Sequence, residues 1–145
     1  MEEKHIVGYE IHTLDNMIGR LISAQLEKEG LTHMQSWIIR YLYENSGQNI
    51  FQKDLEAEFH IARSTASGIL QLMEKRGLIT RGPVPGDARL KRLVLTEKGI
   101  DKQLSVMQLM SQVEEFLQND ISDEEMDSFI DTIHHMKRTI ETKTI

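Results

Sequence analysis

Cysteine is absent from the 145 residues, which excludes disulfides, thiolate-ligated metals and thiol-based redox sensing within the chain. Proline occurs only as Pro83 and Pro85, both inside one short segment. Aromatic residues make up just 6% of the chain, and eight methionines partly take their place as filler for irregular apolar space. No apolar run approaches the roughly 20 residues needed to span a bilayer. The opening stretch MEEKHIVGYE lacks the long apolar core of a secretion signal. These absences predict a soluble, cytoplasmic protein without a membrane partner. No nucleophile–base pattern, phosphate loop or HExxH motif is present, so neither an enzyme nor a cofactor is expected.

What remains suits one domain: the length is right, and a hydrophobic fraction of 39% supports a real core. The net charge is -6, which argues against a general nucleic-acid coat, but the charge is unevenly placed. Between His60 and Arg92 there are seven basic residues (Arg63, Lys75, Arg76, Arg81, Arg89, Lys91, Arg92) and two acidic ones (Glu74, Asp87). That segment is therefore at +5 and the rest of the chain at −11. Such asymmetry suggests one face that meets a polyanion on a body that otherwise repels it.

Val7, Ile11, Leu14, Ile18, Leu21 and Gln25 alternate at spacings of four and three, the seam of a long amphipathic helix stopped by Gly30. Thr32 with Gln35 is a capping-box pattern opening a second helix, HMQSWIIRYLYEN. A short helix, FQKDLEAEF, follows without an evident cap, since Phe51 cannot serve as one. A tight connection at HIA leads to RSTASGILQLMEKR, ended by Gly77. Two strands, LITR and KRLVLT, then flank GPVPGDARL, whose prolines predict an extended loop rather than a minimal turn. Thr96 caps a helix with Ile100, Leu104, Met107, Met110, Val113 and Leu117 in its apolar stripe. Ser122 with Glu125 caps a last one bearing Met126, Phe129, Ile130, Ile133, Met136 and Ile140.

This order is mainly α, or α+β: a winged helix-turn-helix core with long N- and C-terminal helices. In the helix from Arg63 to Arg76, the residues Ala66, Ile69, Leu70 and Met73 should pack inward. Ser64, Thr65, Ser67, Gly68 and Gln71 should lie on or near the opposite side, where small polar groups can approach base edges. Arg63, Lys75, Arg81, Lys91 and Arg92 offer phosphate contacts, and Arg89 on the wing can reach a minor groove. Asp87 and Arg89 fall on one side of an extended chain and can pair. The terminal helices carry apolar stripes too large for a monomer of this length to bury, which predicts a two-fold homodimer.

The wing reads Asp87-Ala88-Arg89, followed after a strand by Leu95-Thr96-Glu97-Lys98-Gly99. With LMEKRGLITR and LTHMQSWIIRYL, these residues resemble the multiple antibiotic resistance regulator (MarR) family over essentially the whole chain. The resemblance implies a single domain over 1–145. Its DNA-binding lobe would span 32–96, and helical dimerisation regions would span 1–30 and 97–145. It implies a homodimeric regulator, in many members a repressor, that reads a pseudo-palindromic double-stranded DNA operator and is released by a small-molecule effector. By matching position, Ser64, Thr65, Ser67 and Gln71 would face bases and Arg89 would enter the minor groove. Gly68 stands where a larger polar or basic side chain is common, and Ala62 where a capping Asp or Ser is common. Around His33, Met34, Trp37 and Tyr41 the second helix could line an effector pocket, although their spacing also suits core.

Two alternatives use the same fold. One is a metal sensor built on His5, His12 and Asp15; His5 and His12 are two turns apart, too far for shared chelation without another helix. His134 and His135 point about 100° apart on their helix and do not converge on one ligand. The other is a winged-helix protein-interaction module, against which the +5 segment argues.

Overall fold

The computed structural model describes residues 6–145; His5 lies outside the described residues. Six helices and one two-stranded sheet follow in the order α1 (Val7–Lys28), α2 (His33–Glu44), α3 (Gln52–Phe59), α4 (Arg63–Lys75), β1 (Ile79–Val84), β2 (Asp87–Leu95), α5 (Glu97–Leu117) and α6 (Asp123–Thr142). The winged helix-turn-helix order expected from the sequence is thus present. The chain divides into two compact units inside α5, between Leu109 and Met110.

In the first unit, local chemistry sets the boundaries. Gly30 and Gly77 end α1 and α4 at φ of +70° and +74°, a left-handed conformation that L side chains rarely adopt. The α2 capping box is complete: Gln35 N–H donates to Thr32 Oγ1 and Thr32 N–H to Gln35 Oε1. Phe51 indeed supplies no side-chain cap, and Asp54 Oδ2 instead accepts from Phe51 N–H at 2.8 Å. His60 takes the left-handed conformation at the end of α3 (φ 51°) and turns the chain into α4. The core holds Leu26, Ile38, Ile39, Leu42, Leu55, Leu70, Met73, Leu78, Ile79, Leu93 and Val106. A 2.7 Å hydrogen bond from Leu93 N–H to Ile50 O ties β2 to the α2–α3 connection.

The wing corrects one expectation. The strands run on to Val84 and restart at Asp87, so only Pro85-Gly86 separates them. Pro83 sits within β1 opposite Lys91. Both strands of a two-stranded sheet are edges, and an edge tolerates a residue without an N–H. The irregularity falls on β2 instead. Pro83 faces Lys91 but Val84 faces Asp87, so Ala88, Arg89 and Leu90 bulge from the ladder.

At the start of α5, three helix ends meet. Thr96 Oγ1 accepts from Gly99 N–H and donates to Gly77 O. Lys98 Nζ donates to Arg76 O at the end of α4 (2.8 Å), and Lys102 Nζ donates to Glu29 O at the end of α1 (2.8 Å). Two lysines one turn apart thereby satisfy orphan carbonyls of two different helices, at the ends where the helix dipole favours a cation. Gly99 packs directly on the Leu78 backbone: an added Cβ would overlap the Leu78 carbonyl oxygen and lie 3.0 Å from Leu95 Cδ2.

In the second unit, α6 begins at Ser122, whose side chain accepts from Glu125 N–H at 3.1 Å. Phe129, Ile130 and Ile140 of α6 are exposed in the single chain. So are Val7, Ile11, Leu14 and Met17 of α1, and Ile100, Leu104 and Met107 of α5.

Candidate nucleic-acid interface

Helix α4 buries Ala66, Leu70 and Met73 against α3 and β1, while Ile69 is only half-buried. At 100° per residue, burial of that stripe turns Ser64, Gly68, Gln71 and Lys75 outward, and all four are exposed. Thr65 is exposed beside them. Gly68 is the centre of this face, and a Cβ built on it meets nothing within 4 Å. The helix starts at Ala62 without a side-chain cap, so its first N–H groups remain available to an acceptor in front of Arg63 and Ser64.

Ser67 differs from its neighbours. It is half-buried, and its Oγ accepts from Gln52 Nε2 at 2.9 Å. Gln52 also donates to Arg63 O at 3.3 Å and accepts from Arg81 Nη2 at 3.5 Å. Arg81 forms an ion pair with Glu74 across the α4–β1 junction, both side chains about one-third exposed (32% and 34%). Of the basic residues the sequence singled out, Arg81 is thus directed at the protein itself. Arg63, Lys75, Lys91 and Arg92 have no ion pair among the described residues.

At the wing, Arg89 has a side chain 92% exposed. Asp87 Oδ1 accepts from Arg89 N–H at 3.0 Å and from its Nε at 3.4 Å. The carboxylate closes a turn around the bulge and holds the base of the arginine while its tip stays in water.

Three residues at this face escaped the sequence reading. Gln52 lies 11 to 29 positions from its partners, a separation at which no periodicity speaks. Glu74 carried no hint of its partner for the same reason. Leu72 is 47% exposed on α4, and there a helical projection of the Ala66–Leu70–Met73 stripe would have revealed it.

Of His33, Met34, Trp37 and Tyr41, the three ring-bearing residues meet one another or Phe59 of α3. Trp37 stacks on Phe59 (centroids 6.5 Å, 14° between planes), Tyr41 meets Phe59 edge-on at 5.9 Å, and His33 lies 5.8 Å from Trp37. His33 Nε2 also contacts Ser23 Oγ of α1 at 2.7 Å. Met34 is half-buried and Trp37 is 49% exposed. His12 is hydrogen-bonded to Asn16, and no group of three potential metal ligands occurs among the described residues. No helix of the described residues is long and apolar enough to cross a membrane.

Residues 29–90 match the family model described as MarR family. Over 111 residues, 77% of this chain and 73% of the relative, the sequence is 29% identical to the HTH-type transcriptional regulator SarZ of Staphylococcus haemolyticus (strain JCSC1435). The solved transcription regulator MarR from Oenococcus oeni PSU-1 is 32% identical, with a TM-score of 0.65 over 94% of this chain and 99% of that one. MepR of S. aureus in complex with DNA matches the fold at 22% identity, with a TM-score of 0.73 over 94% and 99% of the two chains.

Proposed function

The chain belongs to the MarR family of winged-helix, DNA-binding transcription regulators, and from that premise we propose that it is a cytoplasmic homodimer that represses transcription from a pseudo-palindromic operator until a small effector releases it. One observation carries the reading. The exposed face of α4 presents small and polar groups, flanked by basic residues without internal partners, on a chain that is otherwise acidic. In this reading α4 lies in the major groove with Ser64, Thr65, Ser67, Gly68 and Gln71 at the bases. Arg63, Lys75, Lys91 and Arg92 meet phosphates, and Arg89 reaches the neighbouring minor groove. Arg81 supports the site through Glu74 and Gln52 rather than through a phosphate.

The exposed apolar residues on α1, α5 and α6 support the homodimer, because water-facing stripes of this kind call for a covering surface. Deleting residues 122–145 should then convert a dimer into a monomer or an aggregate in sedimentation. For the effector, the half-exposed aromatic group around Trp37 offers stacking surfaces to a phenolic or anionic molecule. Trp37 is the only tryptophan in the chain, so its fluorescence reports occupancy of that surface directly.

The decisive experiment is selection from a randomised duplex pool with the full-length protein, followed by a salt titration on the winner. Enrichment of two-fold symmetric half-sites about 10 base pairs apart is expected, with affinity falling steeply as salt rises. A pool that enriches no sequence would refute the reading.

A further inference from the structure

The side chain of Gln52, the first residue of α3, fills the angle between α3, α4 and β1. The chemistry of its neighbours fixes which way the amide faces. Arg63 O can only accept and the Arg81 guanidinium can only donate, so Nε2 must face α4 and Oε1 must face β1. Ser67 Oγ therefore receives a proton from Gln52. A hydroxyl carries one proton and two lone pairs. With a lone pair taken on the protein side, the proton of Ser67 remains, and no acceptor for it occurs among the described residues.

We infer that Gln52 is a positioning residue that sets Ser67 as a hydrogen-bond donor toward the major groove and so selects a base with an acceptor edge at one pair of each half-site. This rests on the operator-binding reading above. Acceptor edges in the major groove are guanine O6 and N7, adenine N7 and thymine O4, whereas cytosine offers only its amine. Guanine and thymine present acceptors alone and are the preferred partners; adenine sets an amine beside its acceptor. Neither Gln52 nor Arg81 need touch DNA for this to work. The Glu74–Arg81 ion pair anchors the guanidinium, the guanidinium orients the amide, and the amide orients the hydroxyl.

The test uses full-length protein and the same randomised duplex pool, with the wild type, Ser67→Ala, Gln52→Glu and Gln52→Met. The wild type should enrich guanine or thymine at one symmetric pair. Ser67→Ala should lose that preference there and nowhere else, with discrimination falling roughly 3- to 10-fold, the worth of one hydrogen bond. In Gln52→Glu the carboxylate accepts the Ser67 proton, so the hydroxyl presents lone pairs and the preference should move to the amine of adenine or cytosine. Gln52→Met keeps the shape but frees the hydroxyl, and should broaden the preference at that pair.

Unchanged selection by both Gln52 variants overturns the inference. So does a loss of affinity equal on all sequences, which would place Ser67 on a phosphate. If Gln52→Glu proves unfolded in a thermal melt, the near-isosteric Gln52→Met decides alone. Ser67→Ala, on a half-exposed helical surface, is a further independent check, since an unchanged preference in it suffices to reject the idea. Failure of the wild type to enrich any sequence is a different result: it removes the operator reading and this inference with it.

Discussion

Gly68 offers the sharpest separation of folding from recognition. A glycine inside a helix costs about 0.8–1.0 kcal/mol relative to alanine. A Cβ at this position would meet no atom within 4 Å, so nothing inside the chain offsets that cost. Gly68→Ala should therefore stabilise the free protein by nearly the full amount. For a chain of this size that is a rise in melting temperature of about 2–4 °C, at fixed protein concentration because a dimer's transition depends on it. If the outward face of α4 approaches DNA closely, the same methyl group enters an occupied space. Overpacking of this kind costs about 1–3 kcal/mol, or roughly 5- to 150-fold in Kd. The assays are a thermal melt of the free protein and fluorescence anisotropy on the selected operator at constant salt. Wild-type affinity in a stabilised Gly68→Ala would refute close approach at this residue. A lowered melting temperature would refute the open space around it.

Gly99→Ala should behave in the opposite way, with a melting temperature that falls. The methyl must displace the Leu78 carbonyl, which accepts from Thr96 N–H at 3.1 Å, and a penalty of about 1–3 kcal/mol or more outweighs the helix-propensity gain. Leu93→Ala should lose about 2–5 kcal/mol in a denaturant titration, since the residue is buried on β2. Arg89→Ala should weaken operator binding with almost no change in melting temperature, because its side chain is 92% exposed. The double change Lys91→Ala, Arg92→Ala should flatten the slope of log affinity against log salt by about 2 per bound subunit. By contrast, Arg81→Ala should leave that slope nearly unchanged and cost at most about 1 kcal/mol of stability, the ceiling for a partly exposed ion pair.

Helix order and boundaries were legible because their signals are local. The Thr32–Gln35 box, the stop at Gly77 and the uncapped Ala62 each involve residues no more than four apart. Inward positions of α4 were equally readable, except that Ile69 sits at the margin of the buried stripe. The wing tip was not legible because proline breaks a strand only where its missing N–H is needed, and sequence does not show that both strands here are edges. Charge alone could not tell Arg81 from Lys91. Glu74 lies seven residues before Arg81, at a distance only the turn from α4 into β1 makes short. Gln52 was invisible for the same reason on a longer scale.

The two lysines at the start of α5 also close loops of very different length. Lys98 and Arg76 are 22 residues apart, whereas Lys102 and Glu29 are 73 apart. Closing the longer loop costs about 1 kcal/mol more in chain entropy, since the cost rises as (3/2)RT ln n. On loop entropy alone, the α4–hairpin–α5 segment is expected to close on itself first, with the end of α1 docking onto a turn already in place. Run backwards, the sequence makes α1 the cheapest piece to release. The lobe around α4 stays clasped by Lys98 when Lys102 lets go, so amides at the end of α1 should exchange with solvent before those at the end of α4.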